Sequence, residues 1–243
     1  VGVDLGGTKM ISAVLDEDNN ILSREKKKTK GQKGNEAILE RLAECIDDSI
    51  SSAGLKRKHI AGICIAVPGP IDRKNGILVY TPNLGFENYP VSQKLYEKLG
   101  IEVYLENDVN AGTYGEFRHG AGMGFSDIVG VFPGTGIGSG IIINGRLHIG
   151  HSGAAGEFGH MIIQLDGPVC GCGQYGCVEA IASRTAMTKD AVAAVASGRA
   201  QEMYDVAGTD FKKYKSSVFL EGYERGVEEF VNIINRAAEH IGI

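Results

Sequence analysis

Val1-Gly2-Val3-Asp4-Leu5-Gly6-Gly7-Thr8-Lys9 opens the chain, and the fold is read outward from it. Residues 1–5 carry the apolar pattern of a buried strand, which Asp4 ends. Gly6-Gly7-Thr8-Lys9 turns the chain into a second strand at 10–15. A turn at 16–20 and a third strand at 21–29 follow. The same order returns from residue 128. There a strand at 128–132 leads into Gly134-Thr135-Gly136-Ile137-Gly138-Ser139-Gly140, then a strand at 141–144 and the start of another at 146–150. A hairpin repeated with a glycine-rich turn in each copy predicts two similar α/β lobes facing each other across a cleft.

The two turns carry a chemical implication. Neither is a Walker loop, because Gly-x4-Gly-Lys-Ser/Thr is absent, and neither suits a dinucleotide-binding turn, because a strand follows instead of a helix. Glycine-rich hairpins still present several backbone N–H groups to an anion. A pair of them, each with a threonine, predicts a polyphosphate gripped between the lobes. Asp4 would then hold Mg2+, directly or through water, since that ion prefers carboxylate, water and phosphate oxygens. Each turn taken alone also reads as an ordinary tight turn.

Between the repeats, Ile38, Leu42, Ile46 and Ile50 recur at every fourth residue, which predicts a helix at 35–53 with Cys45 near its apolar face and Gly54 as its stop. The apolar run at 60–67 predicts a strand covered on both faces, with Cys64 as a small core residue. Pro68-Gly69-Pro70 breaks it. A short strand at 77–80, a helix at 90–99, a strand at 101–105 ended by Glu106-Asn107-Asp108, and a helix at 109–117 follow. Alternating strands and helices predict a mostly parallel sheet. The lysines at 26, 27, 28, 30 and 33 read as a solvated strand end and loop. The glycine-rich stretch at 119–124 is read as the boundary between an N-terminal domain, 1–118, and a C-terminal domain, 119–243. From Val178 onward the pattern is helical. It is clearest at 221–241, where Tyr223, Val227, Phe230, Ile234, Ala237 and Ile241 share one stripe.

Composition narrows the function. The 243 residues suffice for one large domain or two small ones. The 35 glycines are about twice the usual share, which implies tight turns and close backbone approach to a ligand. A formal net charge of −5 leaves no electrostatic footprint for nucleic acid. No run of 18 apolar residues predicts a membrane span, and no signal-peptide pattern is visible. A clustered Cys/His set without such a signal predicts a reducing, cytoplasmic setting. The chain opens on Val1 inside a strand pattern and stops at Ile243 inside a helical one, so both ends are expected to be cut or left out.

That Cys/His set lies between Glu157 and Glu179. It reads Glu157-Phe158-Gly159-His160, then Cys170-Gly171-Cys172, then Cys177-Val178-Glu179. His160, Cys170, Cys172 and Cys177 match a closed Cys3His structural zinc site, with nearby glycines letting closely spaced sulfurs face one ion. A disulfide or a set of inert thiols is the other reading. Cys170 and Cys172, one residue apart, pair poorly because disulfide geometry is demanding.

Taken in order, Asp4-Leu5-Gly6-Gly7-Thr8-Lys9, Glu106-Asn107-Asp108, Gly134-Thr135-Gly136-Ile137-Gly138, Glu157-Phe158-Gly159-His160 and Cys170-x-Cys172-x4-Cys177-x-Glu179 resemble the ROK family of repressors, open reading frames and kinases. The likeness runs from the first residue to about Ser183. It implies an actin-like ATPase (ribonuclease H-like) fold of two α/β lobes and phosphoryl transfer from ATP to a hexose, with Mg2+ and a structural Zn2+. By that likeness Asp4, Gly7 and Thr8 line one phosphate loop, with Gly6 and Lys9 in the same turn, and Gly134, Thr135, Gly136 and Gly138 line the other. Asn107, Asp108, Glu157, His160 and Glu179 match sugar-binding positions, His160 serving zinc and sugar alike. Asn83, in Thr81-Pro82-Asn83-Leu84-Gly85, looks like a further sugar contact, with Gly69 beside it.

The residue chemistry is compatible with that implication. Asn83, Asn107, Glu157 and Glu179 offer fixed acceptors for hydroxyls. Glu157 and Glu179 also read as ordinary surface carboxylates. Asp108 reads as a helix N-cap, and equally as the general base, ionised by the helix it starts. The stretch at 81–90 looks most like glucokinases, while Asp166-Gly167-Pro168 and the following cysteines also look like N-acetylmannosamine kinases. A sugar-sensing repressor that has lost its DNA-binding part is an expectation of another class. Family members continue past the last helix into the segment that holds adenosine, so adenine contacts cannot be assigned. The likeness also implies self-association into a dimer or tetramer.

Overall fold

The structure is a computed structural model that describes residues 1–29, 34–81 and 83–242. Lys30 and Lys33 of the lysine-rich stretch, and Pro82, lie outside the described residues. Along the chain run β1 (Gly2–Leu5), β2 (Lys9–Leu15), β3 (Ile21–Lys28), α1 (Asn35–Ser52), β4 (Ile63–Val67), β5 (Ile71–Asp72), β6 (Ile77–Thr81), β7 (Phe86–Tyr89), α2 (Val91–Leu99), β8 (Val103–Asn107) and α3 (Asp108–His119). Then follow β9 (Ile128–Pro133), β10 (Ile137–Ile143), β11 (Arg146–Leu147), α4 (Val178–Ala182), α5 (Arg184–Ala196), α6 (Ser216–Glu224) and α7 (Glu228–Ile241). No helix among the described residues is long and apolar enough to cross a membrane.

The chain divides into two compact units. Unit 1 comprises Val1–Ile128 and Ile141–Ala155; unit 2 comprises Val129–Gly140 and Gly156–Ile243. The sequence places a boundary at 119–124, whereas the division here falls after Ile128 and returns residues 141–155 to unit 1. Hydrogen bonds account for that return. The Gly145 amide donates to the Ser126 carbonyl at 2.7 Å and the Asn144 amide to the Asp127 carboxylate at 2.8 Å.

Unit 1 is built on a five-stranded sheet in the order β3-β2-β1-β4-β8. The β1–β2–β3 meander is antiparallel, while β1, β4 and β8 run parallel, so all three point their carboxyl ends to one edge. That edge carries Asp4 and the β8–α3 junction, the place where open α/β sheets collect their ligands. One face is sealed by α1 and α2, whose Leu39, Leu42, Ile46 and Leu95 are fully buried against Leu5, Met10, Ile63 and Ile65. The repeat predicted from residue 128 is present, with β11-β10-β9 in the same mirrored order as β3-β2-β1.

Four sequence expectations change. The strand expected at 60–67 is covered on one face only: Ile63, Ile65 and Val67 are buried while Cys64 is exposed, so Cys64 is not a core residue. An all-apolar strand does not show which of its faces another element will cover. Next, β10 begins at Ile137, inside the stretch read as a turn through Gly140, because the amide ladder resumes as soon as the tight corner is made. Glu106 and Asn107 do not end β8 but belong to it, pairing with Ala66 and Val67. Finally, the single helix expected at 221–241 is two. The chain breaks between Glu224 and Glu228, where Gly226 takes φ 67°, a left-handed conformation that glycine adopts freely. The hairpins added by β5 and β7, each short and partly polar, have no clear strand signal in the sequence.

Unit 2 closes its helices around Phe230, which is fully buried, stacks with Tyr214 at 6.5 Å and meets Phe219 at a tilt at 5.8 Å between ring centroids. Its ring lies against Gly222, where any side chain would collide with it. Phe230→Ala should therefore cost about 3–5 kcal/mol of unit 2 stability in urea unfolding. A loss below about 1 kcal/mol would show that this aromatic cluster does not hold the helices together.

Candidate functional site

In unit 1 the predicted site residues gather at the carboxyl edge of the parallel strands. The turn after β1 is held shut by the Gly6 amide on the Lys9 carbonyl at 3.0 Å and by the Thr29 hydroxyl on the Gly6 carbonyl at 2.6 Å. Asp4 and Thr8 remain exposed. Gly7 lies against Asn83: a Cβ added there would stand 3.2 Å from that of Asn83. The first glycine turn and the segment bearing Asn83 are thus neighbours, and Gly69 joins them beneath the Tyr80 carbonyl.

The β8–α3 junction is assembled from side-chain chemistry. Asn107, not Asp108, caps α3; its Oδ1 accepts from the amides of Val109 at 3.0 Å and Asn110 at 3.1 Å. Asp108 is the first helical residue, and its Oδ1 takes a second bond from the Val109 amide at 2.9 Å. The helix is not the dominant influence on the Asp108 carboxyl. Burial and the nearby charge of Asp4 push its carboxyl above the ordinary value, against the pull of the Val109 amide. A half-buried carboxylate raised in this way is a better proton acceptor than an exposed one.

Sequence reading missed Arg73 and, although it quoted Glu106 within its motif, gave that residue no site role. Arg73 Nε donates to Glu106 Oε2 at 2.9 Å, and its Nη2 donates to Oε1, forming a two-pronged ion pair. Arg73 sits in the β5–β6 turn, which had no strand signal, so nothing placed it near residue 106.

In unit 2, the loop that follows β9 is wired to its surroundings. The Glu179 Oε2 accepts the Ile137 amide at 2.9 Å, and Gly136 lies so close that a Cβ would run into the Glu179 carboxylate. Thr135 is held by Arg184, whose Nη2 donates to the threonine hydroxyl at 2.6 Å, and by the Thr185 hydroxyl on its carbonyl. Arg184, a cation beside a glycine turn, also escaped sequence reading, because it lies about fifty residues downstream on α5. Gly134 and Gly138 lie in the same loop and its return strand.

The four donors of His160, Cys170, Cys172 and Cys177 come within 4.8 Å of one another. Cys170 and Cys177 are buried, and all the cysteines are free thiols. Cys172 and Cys177 sulfurs are 3.8 Å apart, and Cys170 Sγ is 3.6 Å from His160 Nδ1. A tetrahedral zinc with S and N ligands at their usual bond lengths requires S···S of about 3.8 Å and S···N of about 3.6 Å. A disulfide requires about 2.05 Å, so the pairing alternative does not fit. Burial and the two neighbouring thiols push Cys177 up to about 12, the crowding that a divalent cation relieves. The residues present therefore suit a closed zinc site. Glu157 Oε2 lies 3.9 Å from His160 Nε2, near the ring but beyond hydrogen-bond distance. Glu179 Oε1 lies 3.8 Å from Cys170 Sγ, so one carboxylate touches both the cysteine cluster and the glycine loop.

Residues 1–243 match the ROK family. The chain is 40% identical over 190 residues to a glucokinase from Thermotoga maritima, covering 78% of this chain and 58% of that protein. It is 35% identical over 187 residues to the xylose repressor of Caldicellulosiruptor bescii, covering 77% of this chain and 47% of the repressor. The structure superposes with a TM-score of 0.80 and 31% identity on a ROK family glucokinase from Streptomyces griseus solved with glucose and AMPPNP, covering 98% of this chain and 75% of that one. The chain thus spans less than two thirds of the length of the glucokinases it matches in sequence.

Two outcomes follow from this geometry. Asp108 holds its proton more tightly when folded than when unfolded, so the stability it contributes is present below the unfolded pKa and lost as pH rises through the folded one. Asp108→Asn should then be at least as stable as the parent at neutral pH, with the advantage fading toward about pH 4; a variant clearly less stable at pH 7 contradicts it. Gly136→Ala should displace Glu179 and shift the Ile137 amide resonance, and an unchanged amide spectrum would show that the contact is not tight.

Proposed function

The chain belongs to the ROK family, and from that premise we propose that the protein is an ATP-dependent hexose kinase that converts glucose to glucose 6-phosphate. The observation that carries the reading is Asp108: a half-buried carboxylate with a raised pKa, relieved of capping α3 by Asn107, near Asp4, which leads into the first glycine turn. A sugar hydroxyl attacks poorly while it keeps its proton. Asp108 accepts that proton as the new oxygen–phosphorus bond forms and the bond to the bridging oxygen of ATP breaks, ADP leaving with the electron pair. Amides of the turn at 4–9, and separately those of the loop at 134–138, suit phosphate oxygens. Mg2+, when bound, neutralises the polyphosphate charge, and Asp4 would hold it.

Asn83 and Asn107 in unit 1, and Glu157, His160 and Glu179 in unit 2, are the proposed sugar contacts. Their chemistry fits, since hydroxyls need several fixed acceptors and donors. The zinc of the Cys3His cluster is proposed as structural, holding His160 and its neighbours in shape. Three thiols kept as ligands suit a reducing cytoplasm. Self-association into a dimer or tetramer belongs to the proposal, and a monomeric mass in light scattering at micromolar concentration would count against it.

The likeness to a xylose repressor favours a second reading, in which the same sugar site serves a transcriptional sensor. ADP release from the full-length protein with a panel of hexoses separates the readings. Turnover with glucose supports the first, turnover only with N-acetylmannosamine changes the substrate, and sugar binding without turnover supports the sensor.

Asp108→Asn should lower kcat by roughly 10²-fold or more while changing sugar affinity much less. A variant that keeps more than about a tenth of kcat places the base elsewhere. Removing zinc with a chelator should disorder residues 160–179 and weaken sugar binding together, because His160 serves both. Full sugar affinity after verified zinc loss contradicts the shared role.

A further inference from the structure

We infer that Arg73 and Glu106 form a positioning pair that sets Asp108 and Asn107 for the phosphoryl transfer proposed above, on which this inference rests. Glu106 is heavily engaged. Its Oε2 takes Arg73 Nε at 2.9 Å, and its Oε1 takes Arg73 Nη2, the Asn107 amide at 2.8 Å and Asn110 Nδ2 at 3.2 Å. All four donors come from the protein's own groups, three of them crowded on one oxygen, so the carboxylate is committed to holding its neighbours. Its influence therefore passes through the groups it holds.

Those groups are the ones next to the proposed base. Asn107 is fixed twice, its amide on Glu106 and its Oδ1 on the amides of Val109 and Asn110. Asn110, 4% exposed, gives its side-chain amide to Glu106, while its Oδ1 is buried without a partner. Glu106 thus sets the orientation of Asn110 as well. The result is a backbone at 106–110 that has little freedom, with Asp108 at its centre.

The other half of the pair reaches a different segment. Arg73 lies in the turn between β5 and β6, and β6 ends at Thr81, just before Asn83. Gly69 precedes β5. The guanidinium therefore ties the segment that bears Gly69 and Asn83 to the junction that bears Asn107 and Asp108. The two side chains are only 22% and 19% exposed, so water screens the pair less than it would a surface ion pair. A planar fork is needed for two parallel bonds, which lysine cannot reproduce. Arg73 Nη1 would stand 3.2 Å from a Cβ on Gly153, so the guanidinium is confined on that side also. Arg73 does not touch Asp108, and it is a positioning residue rather than a catalytic one.

The test uses the full-length protein. Arg73→Ala should lower kcat by roughly ten- to a hundredfold, the scale of a misplaced reacting group, with KM for ATP within about twofold. In the Asp108→Asn background the same change should cost less than about twofold, because no base remains to be positioned. Equal losses in both backgrounds would overturn the proposal, since they would mean that Arg73 acts independently of Asp108. If Arg73→Ala fails to fold, Arg73→Lys keeps the charge without the fork and should show a smaller kcat loss with the same non-additivity.

A second readout needs no turnover. Carboxyl 13C resonances report the titration of Asp108, which faces Asp4 from β1 and follows Glu106 on β8. Arg73→Ala loosens the backbone at 106–110 that sets how far the Asp108 carboxyl is buried and how it meets the Val109 amide, so its titration midpoint should move. An unmoved midpoint overturns the positioning role whatever the kinetics show. A moved midpoint in a protein that phosphorylates no hexose would leave the pair standing and remove the kinase reading instead.

Discussion

The amino end of a helix leaves amide groups without partners, and here that end also carries a half-buried carboxylate. Asn107 and Asp108 divide the two duties. Asn107 satisfies the first amides of α3, and the carboxylate of Asp108 stays beside Asp4 at the edge of the parallel strands. The rest of unit 1 supports this junction. β1, β4 and β8 deliver it to the same edge as the first glycine turn, α1 and α2 seal one face of the sheet beneath it, and the Arg73–Glu106 pair fixes its backbone. Its cost is visible in the raised pKa of Asp108, since burying a carboxylate next to another one opposes ionisation.

Unit 2 solves a different problem. Its stretch at 157–179 contains little regular structure, ordered by a helical turn at Phe158–His160, tight-turn hydrogen bonds and short bridges such as Ile162–Cys177 and Val169–Tyr175. The donor set of His160, Cys170, Cys172 and Cys177 supplies the convergence that a hydrophobic core supplies elsewhere. Glu179 then links that cluster to the loop at 134–138 through the Ile137 amide. The loop that brings the four donors together and the glycine loop held by a carboxylate are in this way joined.

Much of this was legible in the sequence for identifiable reasons. The repeated strand, glycine turn and strand was readable because alternation and turn residues are local signals, and the mirrored β3-β2-β1 and β11-β10-β9 orders bear it out. The cysteine spacing was readable because so few folds bring three thiols and an imidazole together. Family membership was readable from the ordered motifs and agrees with the match over residues 1–243. What escaped depends on distance along the chain. Arg73 and Glu106 are separated by 33 residues, and Arg184 and Thr135 by 49, so no periodicity points from one to the other. The exposure of Cys64 escaped because an apolar strand does not announce which face is covered, and the break at Gly226 escaped because the apolar stripe continues in phase across it.

The pH dependence of kcat/KM for glucose, measured on the full-length protein in the range where it stays folded, tests the central claim most directly. If Asp108 takes the hydroxyl proton, the rate should fall tenfold per pH unit on an acid limb whose midpoint lies above about 4, the ordinary carboxylate value, and Asp108→Asn should abolish that limb. A wild-type profile that stays flat through this range, or a limb that survives unchanged in Asp108→Asn, would contradict the account.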